Sequence, residues 1–290
     1  MRSALLLEYS GAAYSGSQSQ PNGNAIQDKL IAALRGLGLD PKSVTLAGRT
    51  DAGVNARGQV MTFDLHGDGD PFKEIGDFKL ALNALLPADI RLKEARINMP
   101  QSFHPRRDAL HKWYRYQILS HPHKSPLSPS GSAWTHLKLD AERMAASACL
   151  LEGVHNFKSF KNNNSQVIND ICHVQYARVH KKALPEGDLL ILDIVSDRFL
   201  YKMVRNLMGQ LLTVGSNALP PEAILQVMAR HDRRACATAA RPEGLSLMAI
   251  HYPPELNLFP EDPYIKLLNE FTLNQKDNLQ HEQDLFRKAS

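Results

Sequence analysis

A chain of 290 residues can bury a core without cross-links, which excludes disulfide-dense miniproteins and peptide hormones. Hydrophobic residues make up 43% and charged residues 22%, an ordinary globular balance, so wholesale disorder and collagen-like or coiled-coil rods are excluded too. The net charge of +4, with a pI near 8.9, permits an anionic partner without requiring one.

Cys149, Cys172 and Cys236 are too widely spaced for a zinc ribbon or a CxxC pair. In the opening MRSALLLEYS, Glu8 interrupts a short apolar run, so no secretory h-region is expected. No apolar stretch approaches the roughly 18 residues that cross a bilayer. The expected compartment is cytoplasmic and reducing.

In chain order, Ala4–Tyr9 reads as a buried strand ended by Ser10-Gly11. Asn24 and Gln27 have capping-box spacing before a helix that carries Ile26, Leu30, Ala33, Leu34 and Leu37. Val44–Ala47 and Gln59–Leu65 read as strands flanking a loop. Phe78–Leu86 has helical spacing up to Pro87, and Ile90–Ile97 returns to an extended pattern. Trp113–Leu119 alternates with period two, placing Tyr114 and Tyr116 on one face. Asp140 is placed to cap a helix running through Leu151. Ile171–Val179 and Leu189–Val195 read as strands, Leu200, Met203, Val204, Leu207 and Leu211 as a helical stripe, Pro221–Arg230 as a helix and Leu247–Tyr252 as a strand. Without regular βαβ crossovers, the expected class is α+β, with helices on a largely antiparallel sheet. We divide the chain into an N-terminal half, 1–107, a C-terminal half, 108–253, and a tail, 254–290, partly helical or disordered. In the tail, Leu267, Leu268 and Phe271 suit a short docked helix, whereas the polar run Asn274–Ser290 has little to bury.

The densest local signal is Gly48–Val60. Its glycines and small residues lie between two predicted strands, where backbone can approach a ligand and Arg49, Asp51 and Arg57 stand at the rim. The plainer reading is a polar turn closed by an Asx hydrogen bond. Competing chemistry is absent from the sequence: there is no Walker loop, G-x-S-x-G elbow, HExxH or Cys/His cluster. His104, His111, His121, His123 and His155 read as surface or hydrogen-bonded core residues. From His104 to Tyr116, cations interleave with rings, the combination that single-stranded RNA needs for phosphates and unstacked bases. The same segment also reads as a solvated strand with one aromatic face in the core. Arg230, Arg233, Arg234 and Arg241 either extend that basic track or solubilise a helix end.

Together these segments resemble the TruA family of tRNA pseudouridine synthases. The resemblance rests on Arg49-Thr50-Asp51-Ala52-Gly53-Val54 with Gly58-Gln59-Val60, then Asn83–Ile90, Phe103-His104 with Arg106, and Tyr114-Arg115-Tyr116. It continues through Asn156–Phe160, Met203-Val204-Arg205-Asn206 with Gly209, and Ala240–Leu245, and so covers about residues 4–253. It implies the pseudouridine synthase fold, two similar α+β halves with mixed, largely antiparallel sheets joined around a central cleft. It also implies a homodimer acting without metal or organic cofactor on uridines in the tRNA anticodon arm, at about positions 38 to 40.

That reaction breaks the N1–C1′ bond, turns the bound uracil and joins C5 to C1′, on a nucleotide flipped out of its stack. By resemblance Asp51 is the nucleophile, attacking C6 of the base or C1′ of the sugar, or stabilising an opened sugar; the residues do not choose among these. Arg205 resembles the arginine that keeps the carboxylate ionised, which a guanidinium does well through a two-pronged fork. Tyr114 corresponds to the tyrosine that stacks on the target base and assists loss of the C5 proton, while Tyr116 reads as core. Arg49 and Arg106 correspond to residues that hold the flipped nucleotide, and Arg57, Lys112 and Arg115 add nonspecific affinity. The chain departs from the family pattern at Ser10, at Ser17, at Asn55, where His is common, and before Ile171, where Arg is often found. An alternative reading is a tRNA-binding or RNA-folding module that keeps the scaffold with weakened catalysis. A third, a small-molecule enzyme with a structural Asp–Arg pair, requires the ordered motifs to be coincidence.

Overall fold

The computed structural model of the chain describes residues 1–66, 75–163, 168–256, 258–262, 264–266 and 268. The first apolar run becomes β1 (Arg2–Tyr9), with Ala4–Leu7 all buried. A strand covered on both faces needs no polar–apolar alternation. It lies antiparallel between β3 (Asn55–Asp64) and β4 (Ile90–Met99), and β2 (Lys42–Leu46) pairs with the far end of β3. Helix α1 (Ile26–Gly36) buries Ile26, Leu30, Ala33 and Leu34, and α2 (Phe78–Leu85) buries Phe78 and Leu82. Asp77 caps α2 by accepting from Leu80 N–H, and Leu86, extended before Pro87, ends it.

The start of α1 differs from the capping box expected of Asn24 and Gln27. Ala25 occupies the cap position, and Asp28 reaches back to accept from its N–H at 2.9 Å. Asn24 donates to Ala13 O and Gln27 accepts from Ser19 N–H. The preceding loop folds back over the helix start and takes both side chains for itself.

In the second half, β5 (His111–Ser120), β9 (Gly187–Ser196), β8 (Ile171–Leu184) and β7 (Gly153–Asn156) pair in that order, all antiparallel. Short β6 (Ala133–Thr135) runs parallel to the end of β5. Helix α3 (Ala141–Cys149), capped by Asp140, packs on β8 and on α4 (Met203–Gly215). The stripe Leu200, Met203, Val204, Leu207 and Leu211 is buried throughout, and α5 (Ala223–Ala229) follows.

The decisive strand is β10 (Leu245–His251). It pairs antiparallel with β5 and, through Ser246 and Leu247, parallel with β3, so the strands join into one ten-stranded sheet, eight of them in the order β4-β1-β3-β10-β5-β9-β8-β7 with β2 beside β3 and β6 beside β5. The α+β, largely antiparallel class is as expected, with the two sets of strands meeting at a seam of β3, β10 and β5.

Past Tyr252 the chain closes back over the sheet. Leu258, Phe259, Ile265 and Leu268 are buried, Asp262 ion-pairs with Lys93 on β4, and Tyr264 lies tilted against Trp113. Leu267, Phe271 and Asn274–Ser290 lie outside the described residues. Among the described residues no helix is long and apolar enough to cross a membrane.

Candidate active site

Asp51 sits in the turn that feeds β3, beside the seam, and its loop is fastened from three directions. Beneath it, Gln59 on β3 spans the loop's base, accepting from Gly48 N–H at 3.3 Å and donating to Gly48 O at 2.8 Å. On one side, Thr50 exchanges hydrogen bonds with Ser17, N–H to Oγ at 2.8 Å and O from N–H at 3.0 Å, while its hydroxyl meets that of Tyr9 at 2.9 Å. Beyond it, Asn55 accepts from Gly11 N–H and donates to Glu243 O, both at 3.0 Å.

Backbone crowding explains two glycines. A Cβ on Gly11 would lie 2.1 Å from Val54 O, and Gly16 combines a φ of +111° with a clash at Thr50 O. Only bare backbone lets the loop after β1 lie this close to the Asp51 turn.

Arg205 arrives from the other half. It stands in the first turn of α4, donates Nη1–H to Asp51 Oδ2 at 2.9 Å and Nε–H to Ala240 O at 2.9 Å. Ala240 N–H returns a bond to Arg205 O. The expected two-pronged fork is therefore replaced by a single prong, because a backbone carbonyl claims Nε. The consequence favours chemistry: Asp51 Oδ2 is anchored to a cation, whereas Oδ1 has no hydrogen-bond partner among the described residues. The carboxylate is held by one oxygen, with side chains only 24% and 13% exposed for Asp51 and Arg205, and its second oxygen is left oriented.

Tyr114, on β5, is 7% exposed and its ring meets Phe199 edge-on at 5.0 Å. Burial, and to a smaller degree the proximity of Tyr9 and Asp51, pushes its phenol well above the usual range. It is thus a neutral phenol, and its hydroxyl bonds to no described residue. Tyr116, two residues on, is fully buried and donates to Arg241 O.

The cations expected to grip RNA fall into two groups. Partial desolvation and then the charge of Arg49 lower the Arg106 pKa, so the two guanidiniums lie within electrostatic reach of one another. Lys112 donates to Ala47 O at 3.0 Å, and burial, Arg106 and Arg198 bring its ammonium down to about 8. No carboxylate lies within ion-pair distance of Arg49, Arg106, Lys112 or Arg198 among the described residues. Arg57 and Arg115 are different: Arg57 pairs with Glu8 at 2.6 Å, and Arg115 grips Asp193 through two prongs at 2.8 and 2.9 Å. The rings of the basic track also turn into the core on both faces of β5, with Trp113 and Tyr116 fully buried.

A family model described as tRNA pseudouridine synthase matches residues 147–253. Over most of the chain the similarity extends to proteins named tRNA pseudouridine synthase A. One, from Paraburkholderia phymatum, is 36% identical over 87% of this chain and 91% of its own. Another, from Burkholderia thailandensis, is 36% identical over 90% and 93%. The chain belongs to the tRNA pseudouridine synthase A family. Its members are enzymes, isomerases by class. A solved structure titled as a Cbf5-Nop10-Gar1 complex aligns with 73% of this chain and 45% of its own at 12% identity and a TM-score of 0.33, too distant to bear on the argument.

At two positions that depart from the expected pattern, Ser17 and Asn55, the side chains hold the loop that carries Asp51. Several positions escaped the sequence reading. Gln59 was in the quoted signature without a role, and Phe199 and Arg198 lie in a loop whose only hint was a ring and a cation next to the α4 stripe. Arg205 and Asp51 are 154 residues apart, and nothing local in either segment announces the pair.

Proposed function

We propose that this enzyme isomerises uridine to pseudouridine in the anticodon stem-loop of tRNA, at about positions 38 to 40, with Asp51 as nucleophile. The observation that carries the assignment is the single-pronged Arg205–Asp51 contact, which fixes Oδ2 and leaves Oδ1 open at the seam. With the target nucleotide flipped beside Asp51, the carboxylate serves each route to the same exchange. The N1–C1′ bond breaks, the uracil turns, C5 joins C1′, the C5 proton leaves and N1 gains one. Arg205 keeps the carboxylate charged in a partly desolvated place. Tyr114 offers a flat ring and a neutral hydroxyl beside the base, so it takes up the C5 proton only by passing on its own. Arg49 and Arg106 hold the phosphates that flank the flipped nucleotide. A homodimer in the cytoplasm, with one tRNA touching both subunits, completes the reading.

The test uses full-length tRNA tritiated at uracil C5. The unmutated protein is expected to release label, and Asp51→Ala to stop release while leaving tRNA affinity within a few-fold. Turnover by Asp51→Ala would remove the nucleophile assignment, and saturable binding without release by the unmutated protein would favour a binding module. Mapping pseudouridine across the tRNA pool with and without the protein tests the anticodon-arm assignment; losses outside that arm would overturn it.

A further inference from the structure

Two motifs have no part in the chemistry at Asp51, the Asn156–Phe160 segment and the arginines after α5. The fold brings them together around a cavity of about 440 Å³ whose wall includes Lys158, Lys161, His231, Asp232, Arg233 and Arg234. Lys161 pairs with Asp170 and Arg234 with Asp232. Setting those carboxylates aside leaves positive charge on Lys158 and Arg233, neither of which meets a carboxylate among the described residues.

Arg233 is also rigidly held. Its Nε donates to Asn162 Oδ1 at 3.2 Å, its Nη1 to Cys236 O at 2.9 Å and its Nη2 to Asn206 Oδ1 at 3.0 Å. All three acceptors are neutral, so the guanidinium is fixed in place while its charge stays uncompensated. A partly buried cation in this state gains most from an anion delivered by a ligand.

We infer that this cavity binds backbone phosphate of the substrate RNA, at a place separate from the cleft that receives the flipped uridine. The inference rests on the RNA-modifying reading above. Asn206, which orients Arg233, directly follows Arg205, which holds Asp51. One turn of α4 therefore ties both sites at a fixed offset, as a polyanion gripped at two points requires. No Phe, Tyr or Trp is among the described lining residues, which suits phosphate rather than a stacked base. Lys158 is exposed and Arg234 is 90% exposed, giving an open rim over which a chain can pass.

The variant that tests this is Lys158→Ala with Arg233→Gln, with thermal melting as the folding control and Lys158→Ala alone, at an exposed position, as the second variant. Direct tRNA binding measured between 50 and 200 mM salt is expected to weaken about 10-fold, with the slope of log affinity against log salt reduced by about 1 to 2. Unaltered affinity and slope overturn the proposal, as does protection of the unmutated protein by inorganic phosphate that is lost in the variant while tRNA affinity holds, since the ligand is then a free anion. Binding is read independently of turnover. An unmutated protein that binds tRNA without releasing label sinks the isomerase reading, and the salt slopes still decide the cavity.

Discussion

Between strands of the sheet and their neighbours, arginines end on carboxylates: Arg2 on Asp64, Arg57 on Glu8, Arg115 on Asp193 and Arg178 on Glu152. The group of Arg49, Arg106, Lys112 and Arg198, which reaches the Asp51 loop through the bond from Lys112 to Ala47 O, does not, among the described residues. The same residue type thus glues strands in one region and is left unneutralised in the other. A net charge of +4 understates such a protein, because acids spent on ion pairs elsewhere lower the sum while this group of cations stays unneutralised.

Arg205 meets its acid at Asp51, and its removal separates the two groups most sharply. Arg205→Leu is expected to lower kcat about 1,000-fold with tRNA affinity changed only a few-fold, measured by tritium release and direct binding. Next in size, Arg115→Ala leaves Asp193, 3% exposed, with Trp113 Nε1–H as its remaining side-chain donor. Stability is expected to fall by about 2 kcal/mol, read by urea denaturation, with no change in the salt slope of tRNA binding. Arg106→Ala should do the reverse: no loss of stability, about 10-fold weaker tRNA binding and a salt slope smaller by about 1. A destabilised Arg106→Ala or a shallower slope in Arg115→Ala would erase the distinction.

Lys112 gives a finer test. With its pKa lowered to about 8 beside Arg106 and Arg198, it is charged at neutral pH and loses its proton as pH rises through 8. Affinity for tRNA is therefore expected to fall about 3- to 10-fold from pH 7 to 9, with proton uptake on binding in that range, and Lys112→Arg should flatten the profile. Smallest of all, Arg57→Ala breaks a pair whose side chains are 48% and 32% exposed. It should cost at most about 0.5 kcal/mol and leave kcat untouched.

Elements with a strong local cause were legible in the sequence. The cap at Asp140 and the stop at Pro87 fall where expected, and the buried stripe on α4 holds at every position named. The start of α1 was not, because Asn24 and Gln27 had closer partners in a loop whose path no local rule contains. Asp51 and Tyr114 stood out through their motifs, and the structure sets both at the seam. The one-pronged contact with Arg205 was not legible, since it depends on Ala240 O, 35 residues further on, claiming Nε.

By itself the sequence determined the class of fold, the order of elements and the segments that resemble a family, because hydrophobic periodicity, turn glycines and motif spacing act over a few residues. Only the tertiary structure decided which charges cancel. Whether an arginine stiffens a sheet or waits for a phosphate depends on a carboxylate that is 62 positions away for Arg2, 78 for Arg115, and absent among the described residues for Arg106. Coulombic pairing follows distance in space, and only the folded chain sets that distance.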